Sequence, residues 1–367
     1  MGEGDIRVWC LLGRKAGDNT QTLALADEVG LGYTEKHIVA RPWELLVHLA
    51  PVASLAGIDR GASSDLSAPW PHLVITAGRR NEPVAHWIRA RSGGRSRLVH
   101  IGRPWSSLDR WDLIVTTPQY FLPRNGNIVH NELPLHRPSA DGFAAAAAAW
   151  RPRFESLPRP WIAVLVGGDS GRYVLTAAKG ARLGAMSAAL ARQTGGSLLV
   201  AGSPRTPAPA ADALRAELAV PNFCYRWGDP GDNPYRAMLA LADAFVVTGE
   251  SMSMLAEAAD TQRPLFIFDP GDAGPWWRYP HNYRYKPLSH RLAMSLGPGR
   301  MRRDVGRIQH ALVEGGRACW LNEPTIADAA ALVSAAGERQ EETRAPGPGA
   351  DELRGTAQLV RRLVTPH

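Results

Sequence analysis

The sequence contains no apolar run of 18 residues, so no segment of it reads as a membrane-spanning helix. The longest candidate, Phe143 to Trp150, is mostly alanine and predicts an ordinary helix. The start, Met1-Gly2-Glu3-Gly4-Asp5, is acidic and does not resemble a secretory signal, and residue 6 is isoleucine rather than the Ser/Thr of a myristoylation motif. These absences set the expectation of a cytoplasmic protein, at most peripheral on the inner face of a membrane. Cysteine is scarce: Cys10, Cys224 and Cys319 are scattered and show no zinc-ligand spacing. Cys10 and Cys224 sit in apolar strand patterns and are expected to be buried, reduced thiols in a reducing compartment. No helix-turn-helix, finger or RNA-binding signature is present, and the basic stretches lack interleaved aromatics, so nucleic acid is not an expected partner. Lysine is nearly absent, with 4 among 42 basic residues, for a net charge of +7. Biased codon supply explains arginine in place of lysine everywhere, but it does not explain local clustering. Between Arg79 and Arg110 stand eight arginines (79, 80, 89, 91, 95, 97, 103 and 110) against Glu82 and Asp109. Such a patch suits phosphates, an anionic membrane face or an acidic acceptor.

What is present is globular: 367 residues with 45% hydrophobic and 21% charged, enough for two cores. Short apolar, β-branched runs alternate with helical patterns. Strands are predicted at 6–12, 35–39, 72–76, 97–101 and 112–116, with helices at 20–29, 43–49 and 82–91. Residues 57–71 form a Gly/Ser/Ala loop of unusual length, expected to be functional or mobile. The pattern breaks at residues 131–138, where two prolines lead into an alanine-rich helix ending near Leu157. It then restarts with strands at 161–166, 198–201, 223–227, 244–247 and 264–268, and helices at 173–193, 210–218, 234–241 and 252–259. From Arg302 onward the chain reads as helical, with residues 337–351 a polar linker before a terminal helix whose apolar side carries Leu353, Leu359, Val360 and Leu363. The expected fold is α/β: two doubly wound Rossmann-like domains, residues 1–136 and 137–336, facing across a cleft, followed by residues 337–367 as linker and terminal helix.

Open α/β sheets bind ligands beyond the carboxyl ends of their strands. The first such loop is Gly13-Arg14-Lys15-Ala16-Gly17-Asp18-Asn19-Thr20-Gln21. It has neither the Gly-Lys-Ser/Thr ending of a Walker loop nor the G-x-G-x-x-G of dinucleotide binding. Asp18 with Gln21 three residues on fits a capping box; the same carboxylate, flanked by Arg14 and Lys15, also fits a general base acting on an acceptor hydroxyl. After strand 161–166 comes Gly167-Gly168-Asp169-Ser170-Gly171-Arg172, where glycines, Ser170, Arg172 and a following helix N-terminus suit an anion. A tight strand-to-helix turn also explains the glycines. The Gly-x-Ser-x-Gly of a hydrolase fails because Arg172 stands in the last position. The turn Gly202-Ser203-Pro204-Arg205-Thr206-Pro207 holds an arginine between prolines, as a phosphate contact or as a plain loop. In Thr248-Gly249-Glu250-Ser251-Met252-Ser253-Met254-Leu255-Ala256-Glu257 a buried strand meets hydroxyls at a helix start, and Glu257 follows Ser253 on one helix face. Hydroxyls and N–H groups suit a diphosphate there, and the carboxylate suits a ribose. The loop with Trp276, Trp277, Arg278, Tyr279, His281, Tyr283, Arg284 and Tyr285 can stack on a sugar or base, sit at a membrane interface, or pack as an aromatic flap. No Asp-x-Asp pair follows a strand, so no metal is expected.

The strings Gly-Arg-Lys-Ala-Gly-Asp-Asn-Thr-Gln, Val-Gly-Gly-Asp-Ser, Ser-Pro-Arg-Thr-Pro and Ser-Met-Ser-Met-Leu-Ala-Glu-Ala, spread over residues 6–330, resemble those of the Elm-type mitochondrial-fission family. The resemblance implies a glycosyltransferase-B-like fold. The second half is more distantly similar to Kdo transferase and MurG-type glycosyltransferases. Carried over from these, Ser170, Arg205, Ser251, Ser253 and Glu257 become donor ligands, with Gly167, Gly168, Arg172, Thr248 and Gly249 around them. Thr248-Gly249-Glu250 departs from the usual Gly-Gly pair and puts an acid near the expected diphosphate. The function expected on this basis is a metal-independent glycosyltransferase that needs no cofactor and takes a nucleotide-sugar as substrate. Asp18 is the expected base, and Lys15, Gly17, Arg79 and Arg80 line the side of a lipid-linked or anionic acceptor. A nucleotide-sugar 2-epimerase and a non-catalytic scaffold are the alternatives.

Overall fold

The computed structural model describes residues 6–42, 53–137, 140–284, 286–299, 302–337 and 347–365. The helix expected at 43–49 and most of the expected linker lie outside them. The chain divides into two units: residues 1–137, 297–304 and 348–367 form the first, and residues 138–296 and 305–347 the second. A domain read as one continuous stretch from 137 to 336 misses the return of residues 297–304 to the first unit.

The first unit runs β1 (Val8–Leu12), α1 (Ala16–Val29), β2 (Thr34–His37), β3 (Leu73–Ala77), α2 (Glu82–Arg91), β4 (Arg97–Ile101), β5 (Leu113–Thr116) and β6 (Ile128–His130). All pairs are parallel, in the order β2-β1-β3-β4-β5-β6. Successive side chains of a strand point to opposite faces, so the apolar runs of β1 and β3 feed two layers. Cys10, Leu12, Leu73 and Ile75 pack with Leu25 and Val29 of α1 on one face. Trp9, Leu11 and Val74 pack with Val84 and Ile88 of α2 on the other. β6, only three residues long, carries too short an apolar pattern to stand out in the sequence. The long loop 57–71 is pinned rather than free: Ser64 exchanges hydrogen bonds with His37, Ser63 Oγ accepts from Val39 N, and Lys36 Nζ donates to the Asp65 carbonyl at 2.7 Å. It covers the edge of β2, whose free N–H and C=O groups would otherwise be exposed.

The second unit runs α3 (Ala140–Phe154), β7 (Trp161–Val166), α4 (Ala177–Thr194), β8 (Ser197–Gly202), α5 (Ala208–Ala216), β9 (Asn222–Tyr225), α6 (Tyr235–Leu241), β10 (Ala244–Thr248), α7 (Met252–Asp260), β11 (Leu265–Phe268), α8 (Pro287–Leu296), α9 (Gly306–Glu314), β12 (Cys319–Trp320) and α10 (Ile326–Gly337). Its parallel sheet has the order β12-β11-β10-β7-β8-β9. β12 pairs with β11 inside a region whose composition reads as helix throughout. α4 starts four residues later than expected, because Thr176 caps it by accepting from Lys179 N at 3.3 Å.

The final helix, α11 (Pro348–Arg362), belongs to the first unit and packs on α1. It begins inside the stretch read as linker. Leu353, Ala357 and Val360, spaced by four and three, enter the core, whereas Leu359 falls off that face and is exposed. Of the thiols, Cys10 is buried and pushed up to about 12 by burial, helped by Glu35 and Asp27. Cys224 is only half-buried, against expectation, because β9 is an edge strand; Cys319 is exposed. Among the described residues no helix is long and apolar enough to cross a membrane.

Candidate functional site

In each sheet the chain reverses direction once, between β1 and β3 in the first and between β7 and β10 in the second. A crevice opens beyond the strand ends at such a switch point. Both switch points carry the strings singled out in the sequence.

In the second unit the loops after β7 and β10 are tied together. Gly167 N donates to Thr248 Oγ1 at 2.8 Å, and Gly168 N donates to Glu250 Oε1 at 2.6 Å. The N–H groups expected to meet a diphosphate are thus engaged by the protein's own Thr248 and Glu250. Glu250 is 2% exposed; burial raises its pKa, against the lowering pull of Arg205 and its hydrogen bonds. Its second oxygen is buried without a hydrogen-bond partner. Gly168 has φ +145°, and a Cβ there would fall on the Arg205 carbonyl, so only glycine fits. From the loop after β8, Ser203 and Thr206 hydroxyls donate to the Gly167 carbonyl, and Arg205 Nη1 donates to the Asp169 carbonyl at 3.1 Å. Arg205 Nη2 reaches Ser251 Oγ at 3.3 Å, at the N-cap of α7. Gly167, Gly168, Arg205, Thr248 and Ser251 are therefore brought together. Gly249 lies beside them, its carbonyl held by Gln309 Nε2.

The remaining expected donor residues stand apart. Ser170 exchanges backbone hydrogen bonds with Tyr173 in a tight turn, and Arg172 Nη2 donates to the Tyr173 hydroxyl at 2.9 Å. With α4 starting at Ala177, neither residue sits at a helix N-terminus, which corrects the helix start expected directly after Arg172. Asp169, unassigned in the sequence, organises this loop by accepting from Leu175 N and from Asn282 Nδ2. Ser253 is half-buried in α7, and Glu257, a turn further on, accepts from the Tyr235 phenol. Beside the Arg205 loop a cavity of about 220 Å³ is lined by Ser203, Thr206, Arg215, Tyr225, Arg226 and Trp227, among others. None of its aromatic or basic lining residues was singled out in the sequence, since they come from separate elements. The one signal was the string Arg226-Trp227 at a strand end.

The aromatic loop is not a packed flap. Trp276, Trp277 and Tyr283 are 64%, 69% and 88% exposed.

In the first unit Lys15, not Asp18, is the N-cap residue of α1, and Asp18 lies in the first helical turn. The capping-box reading is thereby corrected: the turn is held instead by Asn19, which accepts from Gly13 N at 2.9 Å and donates to the Gly13 carbonyl at 2.7 Å. Gln21 donates to the Gly17 carbonyl at 3.2 Å. The Asp18 carboxylate crosses the switch point to Gly78, where a Cβ would lie 2.6 Å from Oδ2; φ +74° also demands glycine there. Lys15 Nζ is 3.9 Å from Asp18. Asp18 pulls the Lys15 ammonium up, but partial desolvation of this otherwise exposed side chain and the guanidiniums of Arg303, Arg79 and Arg80 outweigh it, so its pKa is lowered. Arg79 stacks on Trp105 at 4.1 Å, and Arg303 donates to Gln119 Oε1 at 2.8 Å. Arg103 donates to the Tyr120 carbonyl. Loops after β1 and β3, with the returning segment 302–304, thus gather Lys15, Arg79, Arg80 and Arg303 near one half-buried carboxylate.

The eight arginines do not form one patch. Arg79, Arg80 and Arg103 stand at the carboxyl edge of the sheet. Arg89, Arg91, Arg95, Arg97 and Arg110 lie toward the amino edge, where Arg89 and Arg97 pair with Asp112. Glu82, the acid among these arginines at the start of α2, is fully buried: its carboxylate accepts from Trp105 N and Ser106 N at 2.8 and 2.9 Å, and burial raises it to about 7. It positions the loop under Arg79 and is shielded from any acceptor.

A family model described as Mitochondrial fission ELM1 matches residues 16–284. Mitochondrial fission protein ELM1 of Arabidopsis thaliana is 28% identical over 239 residues, 59% of this chain and 55% of that protein, so the chain spans about half the length of this relative. Among solved structures, the UDP-GlcNAc 2-epimerase of Methanocaldococcus jannaschii is similar at 10% identity and a TM-score of 0.47, covering 96% of this chain and 99% of that one. MurG of Acinetobacter baumannii is similar at 12% identity and a TM-score of 0.42, covering 96% and 99%. The family match runs from the first residue of α1 to the loop before α8, with β1 ahead of it and the β7–β10 switch point inside it, and the chain belongs to the mitochondrial fission ELM1 family.

Proposed function

We propose that the protein is a metal-independent glycosyltransferase whose second unit binds a nucleoside-diphosphate sugar and whose first unit holds an anionic acceptor. The observation that carries this reading is the continuity of the cavity with the Arg205 loop. Gly202, Ser203, Pro204 and Thr206 line the cavity, and Arg205 between them turns its guanidinium to Ser251. At about 220 Å³ the cavity suits a ring rather than a whole nucleotide-sugar, since sites for complete drug-sized ligands run from about 300 Å³. A base seated beside Trp227 and Arg226 leaves its phosphates at Arg205 and the N-terminus of α7, where N–H groups and a guanidinium favour negative charge. Glu257 and Ser253 stand further along α7 for hydroxyls of the ribose or sugar. With the N–H groups of Gly167 and Gly168 occupied, Arg205 and Ser251 are the groups that stabilise the leaving diphosphate.

In the reaction Asp18 takes the proton from an acceptor hydroxyl, the oxygen bonds to the anomeric carbon, and the bond from that carbon to the diphosphate breaks. The cations at Lys15, Arg79, Arg80, Arg103 and Arg303 suit an acceptor bearing phosphate or carboxylate. A calorimetric panel of nucleoside diphosphates and their sugars tests the donor site. One member should bind, and Arg205→Ala should weaken it about 10–100-fold, the loss of one or two charge-assisted hydrogen bonds. No binding by any member of the panel would reject the reading.

A further inference from the structure

Large apolar side chains that reach solvent are concentrated in one short stretch. Eleven are exposed among the described residues, and six of them, Trp276, Trp277, Tyr283, Leu288, Leu292 and Leu296, fall within 21 residues of the second unit. Leu288, Leu292 and Leu296 recur every fourth residue along α8 and so form one stripe, 38%, 60% and 83% exposed. Isolated exposed leucines need no explanation, but a contiguous group does. The same stretch has a one-sided charge: between Ala273 and Leu296 stand Arg278, Arg284 and Lys286, all exposed, and Arg291, which pairs with Asp272 just outside the stretch, with no Asp or Glu.

The segment is also held firmly from behind. Asn282 donates to Asp169, and Arg291 donates to Asp272 Oδ2 at 2.7 Å and to the Arg172 carbonyl at 3.0 Å while lying 4.4 Å over the Tyr279 ring. Trp276 and Trp277 meet edge to face at 6.2 Å. The loop is tied to the β7 turn through Asn282 and Arg291, while Trp276, Trp277, Tyr283 and the leucines of α8 are left exposed.

We infer that this face, made by residues 276–283 and the leucine stripe of α8, docks on an anionic lipid bilayer. Tryptophan and tyrosine settle at the level of the headgroups, leucines enter the acyl boundary, and arginine and lysine meet lipid phosphates, a division of labour that amphipathic interfacial segments use. The charge decides the occupant. A second copy would bring the same acid-free, cationic stretch against itself, and like charges repel, whereas an anionic membrane complements it. The inference does not depend on the proposed glycosyl transfer and is read without substrate.

The test is co-sedimentation of the full chain with vesicles of phosphatidylcholine alone or mixed with phosphatidylglycerol, at low and high salt. The anionic vesicles should bind at least about 10-fold more strongly, and salt should weaken binding as it screens surface charge. Trp276→Ser with Trp277→Ser, and separately Leu292→Glu with Leu296→Glu, should each lower binding about 10-fold or more. Leu332→Glu, at an exposed position on α10, should leave binding unchanged. All these side chains are exposed, so a thermal midpoint close to the parent's accompanies each variant. Three outcomes overturn the inference: no binding to anionic vesicles, binding that both double variants retain, or a lipid-free dimer that the double variants dissociate.

Discussion

Glu82 carries a pH dependence that the structure lets one work out with its sign. The carboxyl is fully buried, and burial raises it from the ordinary 4.5 to about 7. Between these values the folded state holds a proton that the unfolded state has released. Its stabilising contribution is therefore full below pH 4.5 and is lost as pH rises through 7. A displacement from 4.5 to about 7 corresponds to about 3 kcal/mol at 1.36 kcal/mol per pH unit. Two neighbours act in the opposite sense. Burial lowers His100 to about 3 and His86 to about 4, so their neutral forms favour the fold increasingly as pH rises toward 6.5. The parent's profile alone is thus a sum of opposing trends, and the difference from Glu82→Gln isolates the carboxyl. Glutamine keeps an oxygen to accept from Trp105 N and Ser106 N but does not titrate. Amide hydrogen exchange of peptides from β3 and β4 reports the first unit, and comparison at one pH cancels the intrinsic exchange rate. The stability of the parent relative to the variant should fall by about 3 kcal/mol between pH 4.5 and pH 7. A difference that stays flat within about 1 kcal/mol would refute the argument, and Glu82 would then be ionised in its cradle of N–H groups.

Gly168→Ala should destabilise the second unit by about 1–3 kcal/mol, because φ +145° and the Arg205 carbonyl both exclude a Cβ; a thermal midpoint equal to the parent's would contradict this. Asp18→Asn should lower transfer about 10²–10⁴-fold with donor binding intact, since the amide cannot take the acceptor proton. Turnover within a few-fold of the parent would remove Asp18 as the base. Because Asp18 is inside the first turn and not its cap, circular dichroism should show α1 unchanged. Glu257→Ala should weaken nucleotide-sugar binding about 10–100-fold, one or two charge-assisted hydrogen bonds; unchanged calorimetric affinity would leave Glu257 with a structural role such as its bond to Tyr235.

The sequence by itself determined the elements and the places where chemistry could sit. Apolar runs such as Val8–Leu12 and Trp161–Val166, each bounded by glycine and a helical pattern, specify buried parallel strands because local periodicity and propensity suffice for that. Each run also announces its own loop, so the strings after β1, β7, β8 and β10 were legible as candidate sites. Tertiary structure alone decided what those strings do. Strand order put the switch points between β1 and β3 and between β7 and β10, joining residues such as Gly168 and Glu250 that are 82 positions apart. Whether Glu250 meets a ligand or turns inward depends on which donors the folded backbone offers to a buried carboxyl, and Gly168 N was the donor at hand. The return of residues 297–304 to the first unit, which brings Arg303 toward Lys15, follows from packing and leaves no periodic trace. The same holds for the leucines of α8: their spacing is that of any amphipathic helix, and only the folded chain shows that the stripe stays exposed among the described residues.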